Sequence, residues 1–291
     1  MKKVSIGSWA IAMDLPELCK GLADLKFDGI SMGGFKPHAN PELYDTKEKR
    51  DGLLKLLKDN NLEVADYAAD TWAITNSVQQ SDEWLAYYDS AVEFMDMMDW
   101  RLVRIDTGMT PNIPDGYTYA QCREKITENF IHCAKKAKQY GITVAWEFEP
   151  GFMISEPKYV VETVNNVGED NFGVLVDTCH AHMSSVIGAN HIEEGCTLKG
   201  GIVEFLEMLS GKITHIHLID SDGSLNGENT STHVPFGGGD VDFDTVVPAI
   251  MEVGGYKGDW WSIDLCEWPN AWQATADCKA FVDKLNEKYC K

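Results

Sequence analysis

Two acids, a histidine and a third acid stand at or near the downstream ends of four successive short apolar runs. Glu149 follows residues 142–148, Asp177 follows 172–176, His217 lies near the end of 213–218, and Asp264 follows 260–263. Carboxylate oxygen and imidazole nitrogen without sulfur make a donor set for one divalent cation such as Mn²⁺, Mg²⁺, Co²⁺ or Zn²⁺. A cation so held polarises a carbonyl and a neighbouring hydroxyl, and so acidifies the C–H beside them. Carboxylates on either side, Glu149 and Asp264, can then remove and return a proton through an enediolate. The expected chemistry is isomerisation or epimerisation of a sugar next to its carbonyl.

Strand alternation puts Glu147 and Glu149 on one face, and likewise His215 and His217. The second of each pair is nearer the strand end, so Glu149 and His217 are the expected ligands. Glu147 and His215 then lie one layer deeper, where a carboxylate needs an ion pair or a contact to a ligand. His180, in Asp177-Thr-Cys-His, stands beside Asp177 and reaches either the metal or a substrate oxygen. His233, in the loop after the seventh run, and His38, after the second, are placed to meet substrate. Trp9, Trp72, Trp146 and Trp268 lie at or near strand ends, where an indole can stack on a sugar face. Arg104 and Asp106 share a face, which suits a buried pair or the binding of hydroxyls. Gly237-Gly238-Gly239 invites a test for phosphate, but the Asp240, Asp242 and Asp244 that follow repel an anion. A neutral sugar is therefore expected.

These side chains converge only if the strands that carry them are neighbours. Eight strand-like runs occur, at 3–9, 28–32, 62–68, 101–106, 142–149, 172–177, 213–220 and 259–265. Helical spacing follows at 16–25, 46–59, 81–98, 119–140, 158–166, 201–209, 244–253 and 271–289. The second helix opens on Asp45 and Glu48 at capping-box spacing. The segments 34–44, 107–116, 186–197 and 221–242 read as irregular and follow strands, where such folds carry function. Eight alternations without a linker predict an α/β fold: a single (β/α)₈ barrel over residues 1–291, with its chemistry at the C-terminal rim of the strands.

Composition narrows the partners. A formal charge of −21 disfavours nucleic acid, whose binding rests on basic side chains, and disfavours an anionic membrane surface. No apolar run approaches a membrane span and the N-terminus lacks the pattern of a secretory signal, so the cytoplasm is the expected location. The eight cysteines include no Cys-x-x-Cys pair and read as reduced thiols. A small carbohydrate is the expected ligand. Loop 221–242 leaves room for a partner subunit or a homo-oligomer.

With Glu149-Pro150, Asp177-Thr-Cys-His180, His215-Ile-His217 and Trp260-Trp-Ser-Ile-Asp264 in place, the chain resembles the xylose isomerase-like barrel superfamily, in particular its sugar (phosphate) isomerase/epimerase members. The likeness covers nearly the whole chain. It implies that Glu149, Asp177, His217 and Asp264 hold one metal ion, usually Mn²⁺. It further implies that His180 contacts substrate hydroxyls, and that Glu149 and Asp264 double as the proton-transfer pair. The chain departs from that pattern at Asp264, where relatives carry Glu, with Glu267 three residues on as an alternative. It also departs at Ser31 and in the Leu218-Ile-Asp-Ser-Asp-Gly run after His217. Some barrels of this kind are lyases that act on 3-oxo-glycosides, and a non-catalytic sugar-binding barrel is a further alternative. The abasic-DNA-repair branch is disfavoured by the acidic charge.

Overall fold

The computed structural model describes residues 1–290. Each of the eight runs contains one barrel strand. They are β1 (Lys3–Ile6), β2 (Gly29–Gly33), β3 (Glu63–Ala68), β4 (Leu102–Ile105), β5 (Thr143–Glu147), β6 (Phe172–Asp177) and β7 (Ile213–Leu218). A hairpin of β8 (Asp220–Leu225) and β9 (Ser231–Val234) follows, and then the eighth barrel strand, β10 (Trp260–Ile263). The barrel strands are parallel, β10 pairs with both β7 and β1, and a bridge between Gly7 and Ser31 joins the first two strands. The result is a nearly closed (β/α)₈ barrel.

The helices are α1 (Leu15–Asp24), α2 (Lys47–Asp59), α3 (Ser81–Met98), α4 (Tyr119–Lys138), α5 (Pro157–Val167), α6 (Thr178–His182), α7 (Gly201–Met208), α8 (Phe243–Glu252) and α9 (Ala271–Tyr289). Their starts follow local chemistry. Asp14 caps α1 by accepting from the Glu17 amide at 3.0 Å, with Pro16 in the first turn. Thr118 and Gln121 close a capping box on α4. The cap of α2 differs from expectation. Thr46 accepts from the Lys49 amide, while the Asp45 carboxylate turns to the Lys49 ammonium at 2.7 Å. The flexible lysine draws off the acid, and the hydroxyl one residue later takes the amide.

The main core lies between sheet and helices. Phe130 of α4 packs on Phe172 of β6 and on Trp146 of β5, with ring centroids 5.5 and 5.1 Å apart. Fully burying a phenylalanine of this kind contributes about 1.5–3 kcal/mol. Trp146 is wholly buried there and faces away from the barrel axis, so it is not available to stack on a ligand. The reason is phase: Glu147 points inward, so its neighbour Trp146 must point outward.

Segment 221–242 is more ordered than its composition suggests. Its β8–β9 hairpin turns where the Asn226 carboxamide accepts from the Glu228 and Thr230 amides. The hairpin brings Ser231 and His233 back over the barrel mouth. Among the described residues, no helix is long and apolar enough to cross a membrane, and the eight cysteines are free thiols.

Candidate metal centre and pocket

At the C-terminal ends of β5, β6, β7 and β10, the side chains of Glu147, Asp177, His217 and Asp264 each bring one ligand atom within 4.8 Å of the others. All four residues are buried. His217 Nδ1 stands 3.1 Å from Glu147 Oε1, 3.4 Å from Asp264 Oδ2 and 3.9 Å from Asp177 Oδ2. Each carboxylate has its other oxygen engaged elsewhere. The Arg104 guanidinium clamps Glu147 Oε2 through Nε and Nη2. Asp177 Oδ1 accepts from the Cys179 and His180 amides at the start of α6, at 2.7 and 3.0 Å. Asp264 Oδ1 accepts from the Trp9 indole at 3.0 Å and from the Cys266 amide at 2.8 Å. Three carboxylates are thus held by one oxygen, and the free oxygens meet at one imidazole nitrogen.

Glu147 Oε1, Asp177 Oδ2 and both His217 nitrogens are buried without a hydrogen-bond partner. Unpaired buried polar atoms are costly, and a cluster of acids around an imidazole is what a divalent cation would satisfy. The donor set therefore fits the expected metal. Electrostatics agree. Burial opposes charge on Glu147, but Arg104 and His217 beside it hold its carboxyl well below the usual range. Burial likewise opposes charge on His217, yet Asp264 and Glu147 hold it well above an ordinary imidazole.

The glutamate in this group is Glu147, where Glu149 was expected. β5 ends at Glu147, and the chain then turns, with the Phe152 amide donating to the Glu149 carbonyl at 3.0 Å. Glu149 therefore leaves the group and meets His180, whose Nε2 is 3.0 Å from its Oε2. Barrel strands are tilted and staggered, so height at the rim is not set by position along one strand. The register shows this: Glu147 lies opposite Leu175 on β6, two residues before Asp177, which lies opposite His217. At the last position Asp264 joins the group, whereas Glu267 adopts a left-handed backbone and binds Asn226 at 2.6 Å.

Above the group opens a cavity of about 430 Å³. Glu149, His180, His233, Arg104 and Trp9 line it, together with Phe35, Trp72 and Phe152. Trp72 and Phe152 pack at 5.2 Å between centroids, forming an aromatic wall. His180 is fixed by Ser231, its Nδ1 lying 2.8 Å from the hydroxyl. The His233 ring sits 4.8 Å from that of His180. Burial lowers the charge on His233, but Asp177 and Asp264 outweigh it and push the imidazole up to about 9. His38 does not line the cavity. A tight turn, with its amide donating to the Phe35 carbonyl at 2.8 Å, tucks the ring 3.2 Å from Ser8 Oγ and leaves Phe35 to face the mouth. Trp268 also lies outside the lining. Arg104 and Asp106 approach only to 3.7 Å, because Glu147 takes the guanidinium. Burial pushes the Asp106 carboxyl up to about 6.

A model of the xylose isomerase-like TIM barrel matches residues 19–281. The chain belongs to the xylose isomerase-like TIM barrel family. Among curated proteins, an inosose isomerase of Bacillus velezensis is 28% identical over 138 residues, which is 46% of this chain and 44% of that protein. The alignment thus spans less than half of that relative. Two solved members of the fold superpose over nearly the full length. One is an IOLI protein with a bound zinc atom, at TM-score 0.76 and 19% identity, covering 99% of each chain. The other is a D-tagatose 3-epimerase-like protein, at TM-score 0.74 and 20% identity, covering 98% of this chain and 99% of that one.

In this xylose isomerase-like barrel the triple-glycine loop already holds an anion, and it is the protein's own. Asp220 Oδ2 accepts from the amides of Gly237 and Gly239 at 2.9 and 3.1 Å, and Oδ1 from Val241 at 3.1 Å. Glycine is required at 239, where a Cβ would come within 2.3 Å of the Ser221 carbonyl oxygen. Amides spent on Asp220 cannot cradle a phosphate. Asp220→Ala is expected to lower stability by about 3 kcal/mol or more, since hydrogen bonds to a charged acceptor contribute about 1.5–3 kcal/mol each. Thermal unfolding would show it, and an unchanged midpoint would refute the anchoring role.

Phe35, Phe152, Thr230 and Glu228 also line the cavity and were not legible beforehand. The Pro150-Gly151 turn before Phe152 was the one signal that a side chain there would be thrust into the mouth.

Proposed function

We propose that the protein is a divalent-metal-dependent isomerase or epimerase of a neutral sugar or sugar derivative. The observation that carries this reading is the convergence of three free carboxylate oxygens on His217 Nδ1 at the floor of a sugar-sized cavity. Glu147, Asp177, His217 and Asp264 would hold the ion, with Mn²⁺ the expected metal and Mg²⁺, Co²⁺ or Zn²⁺ as alternatives. When bound, the ion supplies Lewis acidity, which makes the C–H beside a coordinated carbonyl more acidic.

The chain's own groups do the rest. Glu149 lines the cavity just outside the proposed metal group and is the base for that proton. His180, fixed by Ser231, holds the Glu149 carboxylate in place and donates to a substrate oxygen once the substrate enters. Asp264, expected to serve the opposite face, has one oxygen committed to Trp9 and Cys266 and the other to the proposed ion, so Glu149 both removes and returns the proton. His233 lines the cavity with its ring 4.8 Å from that of His180, where it can donate to a substrate oxygen as negative charge develops there. Trp9, Trp72 and Phe152 supply apolar surface for a sugar face and exclude water from the proton in transit.

A second reading, a lyase that cleaves a 3-oxo-glycoside, uses the same proton abstraction but expels an aglycone. The aromatic lining favours it, since Phe35 adds a further ring to the Trp72–Phe152 wall and so offers apolar surface for an aglycone beside the sugar. One assay separates the two. Metal-loaded protein in deuterated water should wash label into a ketose at the carbon beside its carbonyl if it isomerises or epimerises. A lyase should instead release the aglycone of an oxidised glycoside. Neither label nor release across a panel of both classes would sink the catalytic reading and leave a sugar-binding barrel.

A further inference from the structure

Beneath the four-residue group the barrel interior is polar, where branched aliphatic side chains ordinarily stack. Ser5 of β1, Ser31 of β2, Asp66 of β3, His215 of β7 and Ser262 of β10 are all essentially inaccessible to solvent. They are linked across the barrel. Ser5 Oγ lies 2.6 Å from Ser262 Oγ, Ser31 Oγ lies 3.2 Å from Ser262 Oγ, and Ser262 Oγ lies 3.0 Å from His215 Nε2. His215 Nε2 in turn stands 3.2 Å from Asp66 Oδ1. A carboxylate this deep costs several kcal/mol unless opposite charge or hydrogen-bond donors compensate it. Yet no hydrogen bond in the layer accounts for Asp66: both its oxygens are unpartnered, as is His215 Nδ1.

The missing donor stands directly above. His217 directs Nδ1 at Glu147, Asp177 and Asp264, which leaves its buried and unpartnered Nε2 for the layer beneath. Asp66, His215 and His217 each bring one atom within 4.8 Å of the others. That separation is too long for one direct bond between every pair, and it suits a contact bridged by water. A metal-binding imidazole needs its second nitrogen protonated and held, because that proton fixes both the tautomer and the ring orientation.

We propose that Asp66, backed by His215, is the positioning residue for His217. Its carboxylate accepts the Nε2–H of His217 through one bridging water, and so turns the Nδ1 lone pair toward the point where the free oxygens of Glu147, Asp177 and Asp264 meet. This rests on the metal reading above and adds a residue to it that never touches metal or substrate. It also accounts for a buried carboxylate whose one close partner is His215 Nε2, at 3.2 Å from Oδ1.

The test is Mn²⁺ affinity of the metal-stripped full-length protein, measured by titration calorimetry on the parent, Asp66→Ala, Asp66→Asn and Ser5→Ala. Asp66→Ala should bind about 10–100-fold more weakly, still with one equivalent per chain. Asp66→Asn keeps an acceptor oxygen and the side-chain volume, so it should lose less. Ser5→Ala trims the layer without touching the carboxylate and should bind as the parent does. Nitrogen-15 spectra of the histidine rings in Zn²⁺-loaded protein supply a readout that packing alone would not move. The Nε2–H signal of His217 should be sharp in the parent and lost or exchange-broadened in Asp66→Ala. If Asp66→Ala does not fold, a parent-like affinity for Asp66→Asn overturns the proposal. Unchanged affinity and unchanged ring signals in Asp66→Ala overturn it too. So would two equivalents in the parent that fall to one in Asp66→Ala, which would reveal a second cation site instead. A parent protein that binds no Mn²⁺ is a different failure, since it removes the metal reading itself.

Discussion

Glu149→Gln is expected to bind metal as tightly as the parent protein and to turn over about 10²–10⁴-fold more slowly, the range a positioned general acid–base commonly supplies. The side chain lines the cavity and pairs with His180 at 3.0 Å, but none of its atoms belongs to the buried group around His217 Nδ1. Replacing the carboxylate by an amide keeps volume and much of the hydrogen bonding while removing the proton acceptor. The separation of the two readouts is what matters. Metal content and affinity, measured beside turnover on whichever sugar the panel identifies, should split cleanly. Full turnover in this variant would eliminate Glu149 as the base.

Glu147→Gln should do the reverse and lose the metal. The free Oε1 of Glu147 lies closer to His217 Nδ1 than the free oxygen of either aspartate does. An amide there is a neutral and weaker donor to a hard cation. Since altering a mere supporting contact to a metal ligand costs about 10–100-fold in affinity, losing a charged ligand should cost at least about 100-fold. The substitution also leaves the Arg104 guanidinium without its closest counter-charge in a buried setting. Stability should therefore fall as well, by roughly 3–5 kcal/mol if no other group compensates. Arg104 retains Asp106 at 3.7 Å as a fallback, so the folded state should survive. A metal-replete Glu147→Gln beside a metal-free Glu149→Gln would restore Glu149 as the ligand and overturn the assignment made here.

The two glutamates show why part of the site was legible beforehand and part was not. Asp177 and Asp264 follow apolar runs and His217 lies within one, and such runs carry side chains to the C-terminal rim of a parallel barrel. Their convergence could therefore be anticipated from spacing. Glu147 and Glu149 share a face, and choosing between them needs the relative height of β5 against β6. That height depends on strand tilt and stagger, which involve the whole closed sheet. His38 fails for a related reason. Its loop folds the ring back onto Ser8, in the short turn after β1, a contact that no local pattern announces.

By itself, the chain's pattern of eight apolar runs, each followed by a helical period, determined a single closed architecture, because parallel strands bury both faces and need a helix between each pair. It also pointed to one rim as the place where candidate oxygen and nitrogen donors gather. Only the tertiary structure decided which carboxylate oxygens are free. Arg104 and the Trp9 indole each occupy one oxygen of an acid distant in sequence, whereas Asp177 gives one oxygen locally, as the cap of α6. Tertiary structure alone also decided that Asp220 fills the glycine loop, and that Asp66 lies under His217. Those outcomes depend on which side chains meet across the barrel after closure, and pairing at a distance is what periodicity along one strand cannot encode.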